Sequence, residues 1–127
     1  MSTPQSVEAA LQVMQEHIDA LNARDEVRIA ATLHFPHHRL SGVDLKCWET
    51  PDSYFSDFKA RAGGDWSHSR FDDIRVVQAS DNKVHLDAEI NRFDTQDQKI
   101  ASFRSFWVIT CEDGRWAAKF RSSFAGR

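Results

Sequence analysis

Histidine and arginine supply the reactive side chains of this sequence, and their spacing points to acid–base chemistry rather than metal binding. His34, His37 and His38 form one cluster. Pro36 stands between them and prevents one continuous helical face, so a metal-ligand set is not expected there. His34 could act in a pocket as acid, base or hydrogen-bond donor. Its position at a helix exit also has a structural explanation, because the carbonyl end of a helix favours an imidazolium. Trp66-Ser67-His68-Ser69 opens an extended run in which Trp66, His68, Arg70 and Asp72 share parity with Ile74 and Val76. If that parity faces the helices, His68 and Asp72 lie towards the mouth of a cavity with apolar groups deeper. Capping of a helix end is the alternative for His68. Arg92 continues the dry face of Val84, Leu86, Ala88 and Ile90, where a charge must be paired or stand at an open mouth. Its fork suits a substrate carboxylate, and an ion pair with a neighbouring carboxylate is the alternative. Phe35, Trp48, Phe58 and Trp107 are candidate lining rings, a role that competes with ordinary core packing. His17 and His85 lie on or beside polar faces and are expected to be solvated. Arg121-Ser122-Ser123 has no Gly-x-Ser-x-Gly elbow, so it reads as strand-end or interface structure.

Three helices must hold these groups against strands. Val7, Leu11, Met14, Ile18 and Leu21 recur at helical spacing, after Thr3-Pro4 as a start. Asn22-Ala23-Arg24-Asp25 breaks the helix and offers Asp25 as the N-cap of a second, shorter one, with Val27, Ala30 and Ala31 inward. Pro36 ends it. A short extended pair follows, about 37–40 and 43–48, around Ser41-Gly42. Thr50-Pro51 starts a third helix with Tyr54, Phe55, Phe58 and Ala62 inward and Gly63-Gly64 as its stop. Four long extended runs then cover about 67–79, 83–93, 99–111 and 115–124. Asp113-Gly114 is the strongest hairpin signal between them. Short connections make these runs an antiparallel meander. The expected class is α+β: one domain over residues 1–127, with three N-terminal helices packed in the concave face of a curved, mainly antiparallel sheet.

Composition excludes several functions. Sixteen basic and nineteen acidic residues give a net charge of −3, so no basic stripe for a phosphate backbone is available and nucleic acid is not expected as a partner. No apolar run is long enough to span a membrane. Without a leader-like N-terminus the chain is expected to be cytoplasmic, with Cys47 and Cys111 as reduced core thiols. Nine Phe and four Trp against one Tyr concentrate burial in a few rings. The third long strand has Phe103, Trp107 and Ile109 largely on one parity and Phe106 and Val108 on the other. The last has Trp116, Ala118, Phe120 and Phe124 opposite Ala117, Lys119 and Arg121. Strands apolar on both faces need cover on both, and the helices cover only one. A second copy of the chain against the outer sheet face is therefore the expected partner.

In its order of elements the chain resembles the nuclear transport factor 2-like superfamily, including its SnoaL-like branch. The resemblance rests on the helix ending 20–25 (ALNARD), the Leu33-His34-Phe35-Pro36-His37 exit, and Asp113-Gly114-Arg115-Trp116 leading to Arg121-Ser122-Ser123-Phe124. It implies a cone-shaped fold with an internal pocket, often in a homodimer. Members include isomerases, cyclases, dehydratases, epoxide hydrolases and plain binding domains, so the fold does not name the reaction. Against the dehydratase pattern of histidines with an aspartate, His34, His68 and Asp72 are the matching residue types. Against the Asp-Arg-Asp arrangement of the epoxide hydrolases, Arg92 and Asp72 match in part. The tyrosine donor of the ketosteroid isomerases has only Tyr54 as counterpart, which core packing also explains. The resulting expectation is a small-molecule pocket protein without cofactor or metal, binding a small hydrophobic or anionic molecule. It would be an isomerase, dehydratase or cyclase using histidine, or a non-catalytic homodimeric binding domain.

Overall fold

The computed structural model describes residues 3–61 and 64–124, with side chains described for 4–57 and 64–124. Helix α1 (Thr3–Ala23) is followed by α2 (Glu26–Ala31), strands β1 (Leu33–Ser41) and β2 (Asp44–Trp48), and helix α3 (Pro51–Arg61). The four long strands are β3 (His68–Ala79), β4 (Lys83–Phe93), β5 (Lys99–Glu112) and β6 (Arg115–Ser123). They form one curved, unclosed sheet in the order β2-β1-β6-β5-β4-β3, antiparallel except for the β1–β6 pair. The helices pack against this sheet, giving the expected α+β cone.

Local chemistry explains most boundaries. The Asp25 carboxylate accepts from the Arg28 amide at 3.2 Å and caps α2. Asp113 and Gly114 take positive φ of 55° and 78°, the pair of left-handed residues that a tight hairpin needs. Pro36 does not end a helix: α2 stops at Ala31 and Pro36 lies inside β1. The β1–β6 register shifts between Leu33 and His38, so a residue with no amide to donate falls where the ladder is interrupted. Within α2 Ile29, 1% exposed, is the buried residue and Ala30 packs partly buried against the core as expected, whereas Val27 is 80% exposed. Ala62 and Gly63 lie outside the described residues.

The core joins Ala10, Val13 and Met14 of α1 to Leu86, Trp107, Ile109 and Ala118 of the sheet. Each fully buried aliphatic side chain contributes about 1.5–3 kcal/mol. The buried stripe of α1 is rotated from the expected one: Ala10, Val13, Met14, His17 and Ile18 are buried, and Leu11 is 37% exposed. This rotation brings a histidine to the inner face.

Two bulges set the inner face of the sheet. Val108 pairs with Phe120 but Ile109 pairs with Ala118, so Lys119 is an extra residue that reverses parity along β6. Ala118 faces the core before it, and Arg121 and Ser123 face inward after it. Likewise Phe71 pairs with Ile90 and Asp73 with Glu89, leaving Asp72 unpaired in β3. Phe71 and Ile74 therefore both pack inward.

Candidate functional site

A cavity of about 190 Å³ lies between the helices and the concave face. The helices contribute His17, Leu21 and Tyr54, and the sheet supplies the charged and aromatic wall. One row of inward residues crosses four strands: Trp107 pairs with Arg121, Arg121 with Arg39, and Arg39 with Lys46. The next row is Ser105, Ser123, Ser41 and Asp44. Arg92, Phe103, Phe71 and Trp66 complete the wall at the other end.

His17 is 2% exposed, and its Nδ1 lies 2.8 Å from Thr32 Oγ1. The Thr32 hydroxyl already donates its one proton to the Ile29 carbonyl at 2.7 Å. It can only accept from His17, so the imidazole carries its proton on Nδ1 and presents Nε2 as a lone pair. Nε2 makes no hydrogen bond among the described residues and is not sealed in, so it is the ring nitrogen open to the cavity that His17 lines. Burial, reinforced by the nearby Arg121 guanidinium, lowers the His17 pKa to about 3. The ring meets Trp107 edge-on at 5.2 Å.

Arg121 is held by its surroundings. Its Nη2 donates to the Tyr54 hydroxyl at 3.0 Å, and the guanidinium lies 5.1 Å from the Trp107 ring and 5.9 Å from that of Tyr54. Its Nε is buried without a partner, and no carboxylate pairs with Arg121 among the described residues. Behind it, His37 donates Nδ1–H to the Ala118 carbonyl at 3.1 Å and stacks on Trp48. Burial and then Arg121 lower its pKa to about 2. At the rim, Arg24 stacks over Trp66 at 4.3 Å and donates to the Ser67 carbonyl at 3.0 Å, while Trp66 Nε1 donates to Ser69.

Of the residues singled out in the sequence, Arg92 and Trp107 line this cavity; Arg92 stands 5.0 Å from the Phe103 ring. His34, His68 and Asp72 are not brought together. His34 donates Nε2–H to the Thr110 carbonyl at 3.0 Å and accepts from Arg115 at Nδ1, which occupies both ring nitrogens. His68 stacks on Phe93 and contacts Asp97 at 3.0 Å. Between the levels of these two histidines run about 35 Å of β5, from Lys99 to Thr110. Asp72, turned out by its bulge, binds Arg70 and Asn91, and the Arg70 hydrogen bond holds its carboxyl below the usual carboxylate range. Trp48 is a core residue whose Nε1 donates to Asp57, and Phe35 packs beside Tyr54 and His37. The side chain of Phe58 lies outside the described residues.

His17, Arg121 and Arg39 are the cavity residues that sequence reasoning missed. His17 is not solvated, because the true stripe of α1 passes through it; its spacing of three and four from Met14 and Val13 was the available signal. His85 is half-buried against Phe106 rather than solvated. Cys47 is exposed, not a core thiol. Among the described residues no three His, Cys, Asp or Glu side chains gather as a metal site, and no helix is long and apolar enough to cross a membrane.

No family model and no curated protein sequence matches the chain. Solved structures match its fold. A cystatin-like protein of unknown function from Nostoc punctiforme superposes with a TM-score of 0.76 at 10% identity, over 91% of this chain and 86% of that one. An NTF-2 like protein of unknown function from Shewanella oneidensis gives 0.75 at 11% identity, over 93% and 98%. A candidate ketosteroid isomerase from Shewanella frigidimarina gives 0.71 at 13% identity, over 91% and 94%. The chain therefore has the cystatin-like, nuclear transport factor 2-like fold.

Proposed function

We propose that this protein binds a small molecule in the cone, with His17 Nε2 as hydrogen-bond acceptor and the Trp107 and Phe103 rings as apolar walls. The observation that carries the reading is the fixed tautomer of His17: one ring nitrogen is spent on Thr32 and the other is kept as an accepting lone pair at the cavity. A group whose only task was packing would not need an unpaired acceptor there. The test is a screen of single-ring compounds followed by chemical-shift mapping. Ligands are expected to move the Trp107 indole N–H and the His17 ring, and hits that move only outer-face resonances would overturn the reading.

The same tautomer favours a second reading, proton transfer catalysed by His17. A base with a pKa near 3 is weak at neutral pH, which is why binding stands first. Catalysis predicts exchange of a ligand C–H with deuterated solvent that stops in His17→Gln. Exchange that is absent from the unaltered protein, or unchanged in the variant, leaves the binding reading alone.

We also propose that a second copy of the chain covers the outer face of β5, β6 and β1. Phe106, Val108 and Phe120 are half-buried there, and Leu45 and Phe124 are 65% and 82% exposed. Light scattering at micromolar concentration should return a dimer; a monomer would contradict this part.

A further inference from the structure

Arg39 and Arg121 occupy directly paired positions on β1 and β6, both inward, and Arg39 is only 7% exposed. Two cations side by side repel each other, and the buried Arg39 also loses hydration, while Arg121 is half-buried. Arg121 has no carboxylate partner among the described residues, and its neutral neighbours cannot cancel its charge. Among the described residues the cavity lining has four cations, Arg39, Lys46, Arg92 and Arg121, against one carboxylate, Asp44; Lys46 is paired at 3.0 Å with Asp57 from outside the lining, and Arg121 is the cation that no carboxylate meets. This excess is local, since the chain carries a net charge of −3.

Size narrows the occupant. An apolar cavity of about 150 Å³ takes up one benzene. The 190 Å³ here leaves room for one ring and a small anionic group, with the Trp107 indole beside Arg121 as the flat wall. We propose that the cavity takes a monocyclic carboxylate, its anionic group received between Arg121 and Arg39 and its ring laid against Trp107. The inference rests on the binding reading above and adds the ligand's charge and size. The carboxylate would supply the negative charge that no described side chain offers Arg121, through charge-assisted hydrogen bonds. Tyr54, holding Nη2, fixes the plane in which the fork meets the anion.

The experiment titrates the full chain with 4-hydroxybenzoate and with its neutral isostere 4-hydroxybenzamide (benzoate and benzamide below), each with a ring hydroxyl that can donate to His17 Nε2, by calorimetry and by the Trp107 and His17 resonances. Benzoate is expected to bind at least tenfold tighter than benzamide, about 1.4 kcal/mol. Arg121→Met should reduce benzoate to the benzamide level, and Arg121→Lys should keep part of the preference. Equal binding of the two probes within the cavity overturns the anion site while leaving the binding reading intact. Failure of both probes to move the Trp107 and His17 resonances overturns both. An unchanged benzoate preference in Arg121→Met also overturns the proposal. If that variant fails to fold, the ratio of the two probes on the unaltered protein decides.

Discussion

Arg121 on the inner face of the sheet and the arginines of its outer face are held in opposite ways. On the outer face Arg70 pairs with Asp72 at 2.6 Å, Arg75 with Asp87 at 2.9 Å, and Arg104 with both Asp87 and Asp73. These are exposed pairs, individually worth little and readily exchanged for water. On the inner face Arg121 meets one tyrosine, through both its hydroxyl and its ring, and one tryptophan, and its cross-strand neighbour is another arginine. A chain with enough carboxylates to pair its outer arginines places none on Arg121 among the described residues. Charge left uncompensated in a cavity is a mark of recognition, whereas compensated charge on a convex face is a mark of solubility and register.

Acidification should separate the faces most strongly. His17 and His37 have folded pKa values of about 3 and about 2, against about 6.5 in an unfolded chain. Below pH 6.5 the unfolded chain therefore takes up protons that the folded protein refuses, and stability falls as pH falls. The limit is about 1.4 kcal/mol per pH unit for each histidine, so up to about 4 kcal/mol is lost between pH 6.5 and 5. The outer carboxylate Asp72, whose pKa is depressed, begins to lose its contribution only below its unfolded value near 4. Urea unfolding at pH 7, 6 and 5 should show the decline, with a shallower slope in His17→Gln. A flat profile down to pH 4 would show that the inner histidines are hydrated.

Packing should show the next largest difference. Trp107 is 2% exposed, and Trp107→Ala is expected to cost about 3–5 kcal/mol. Phe106, its neighbour in sequence on the outer face, is half-buried, and Phe106→Ala should cost less than half as much. Equal losses would mean that the outer face is packed as tightly as the core. The smallest effect concerns charge itself. Arg121→Met keeps apolar contact with Trp107 and removes the uncompensated cation, so the ligand-free protein should gain about 1–3 kcal/mol. Arg104→Met breaks a carboxylate network and should lower the Tm slightly. Thermal melts of both variants check the opposite signs.

The elements were legible because short-range chemistry sets them. The period of α1, the Asp25 cap and the Asp113-Gly114 turn each act over a few residues, and the bounds of β4 follow from its alternation. The site was harder to see because its facing depends on longer-range packing. Parity counted along β6 puts Arg121 outside until the Lys119 bulge is known, and parity along β3 puts Asp72 inside until its own bulge is known. Arg92 and Trp107 were readable because β4 runs straight to Arg92 and the wide ring of Trp107 fits the dry parity of β5. His17 was hidden by apolar residues on both flanks of α1, which allow two stripes of similar quality; only the sheet beneath chooses between them. No local rule reveals that Arg39 and Arg121 are paired, since the β1–β6 contact joins strands with α3 and three other long strands between them in sequence.

Which histidine answers a ligand is the most direct test of the cavity as the binding site. Histidine side-chain NMR during a 4-hydroxybenzoate titration measures this in one sample. The His17 ring resonances are expected to move progressively to saturation while those of His34 and His68 stay in place. Movement of His34 or His68 with His17 unchanged would contradict this and return the site to the ends of the sheet.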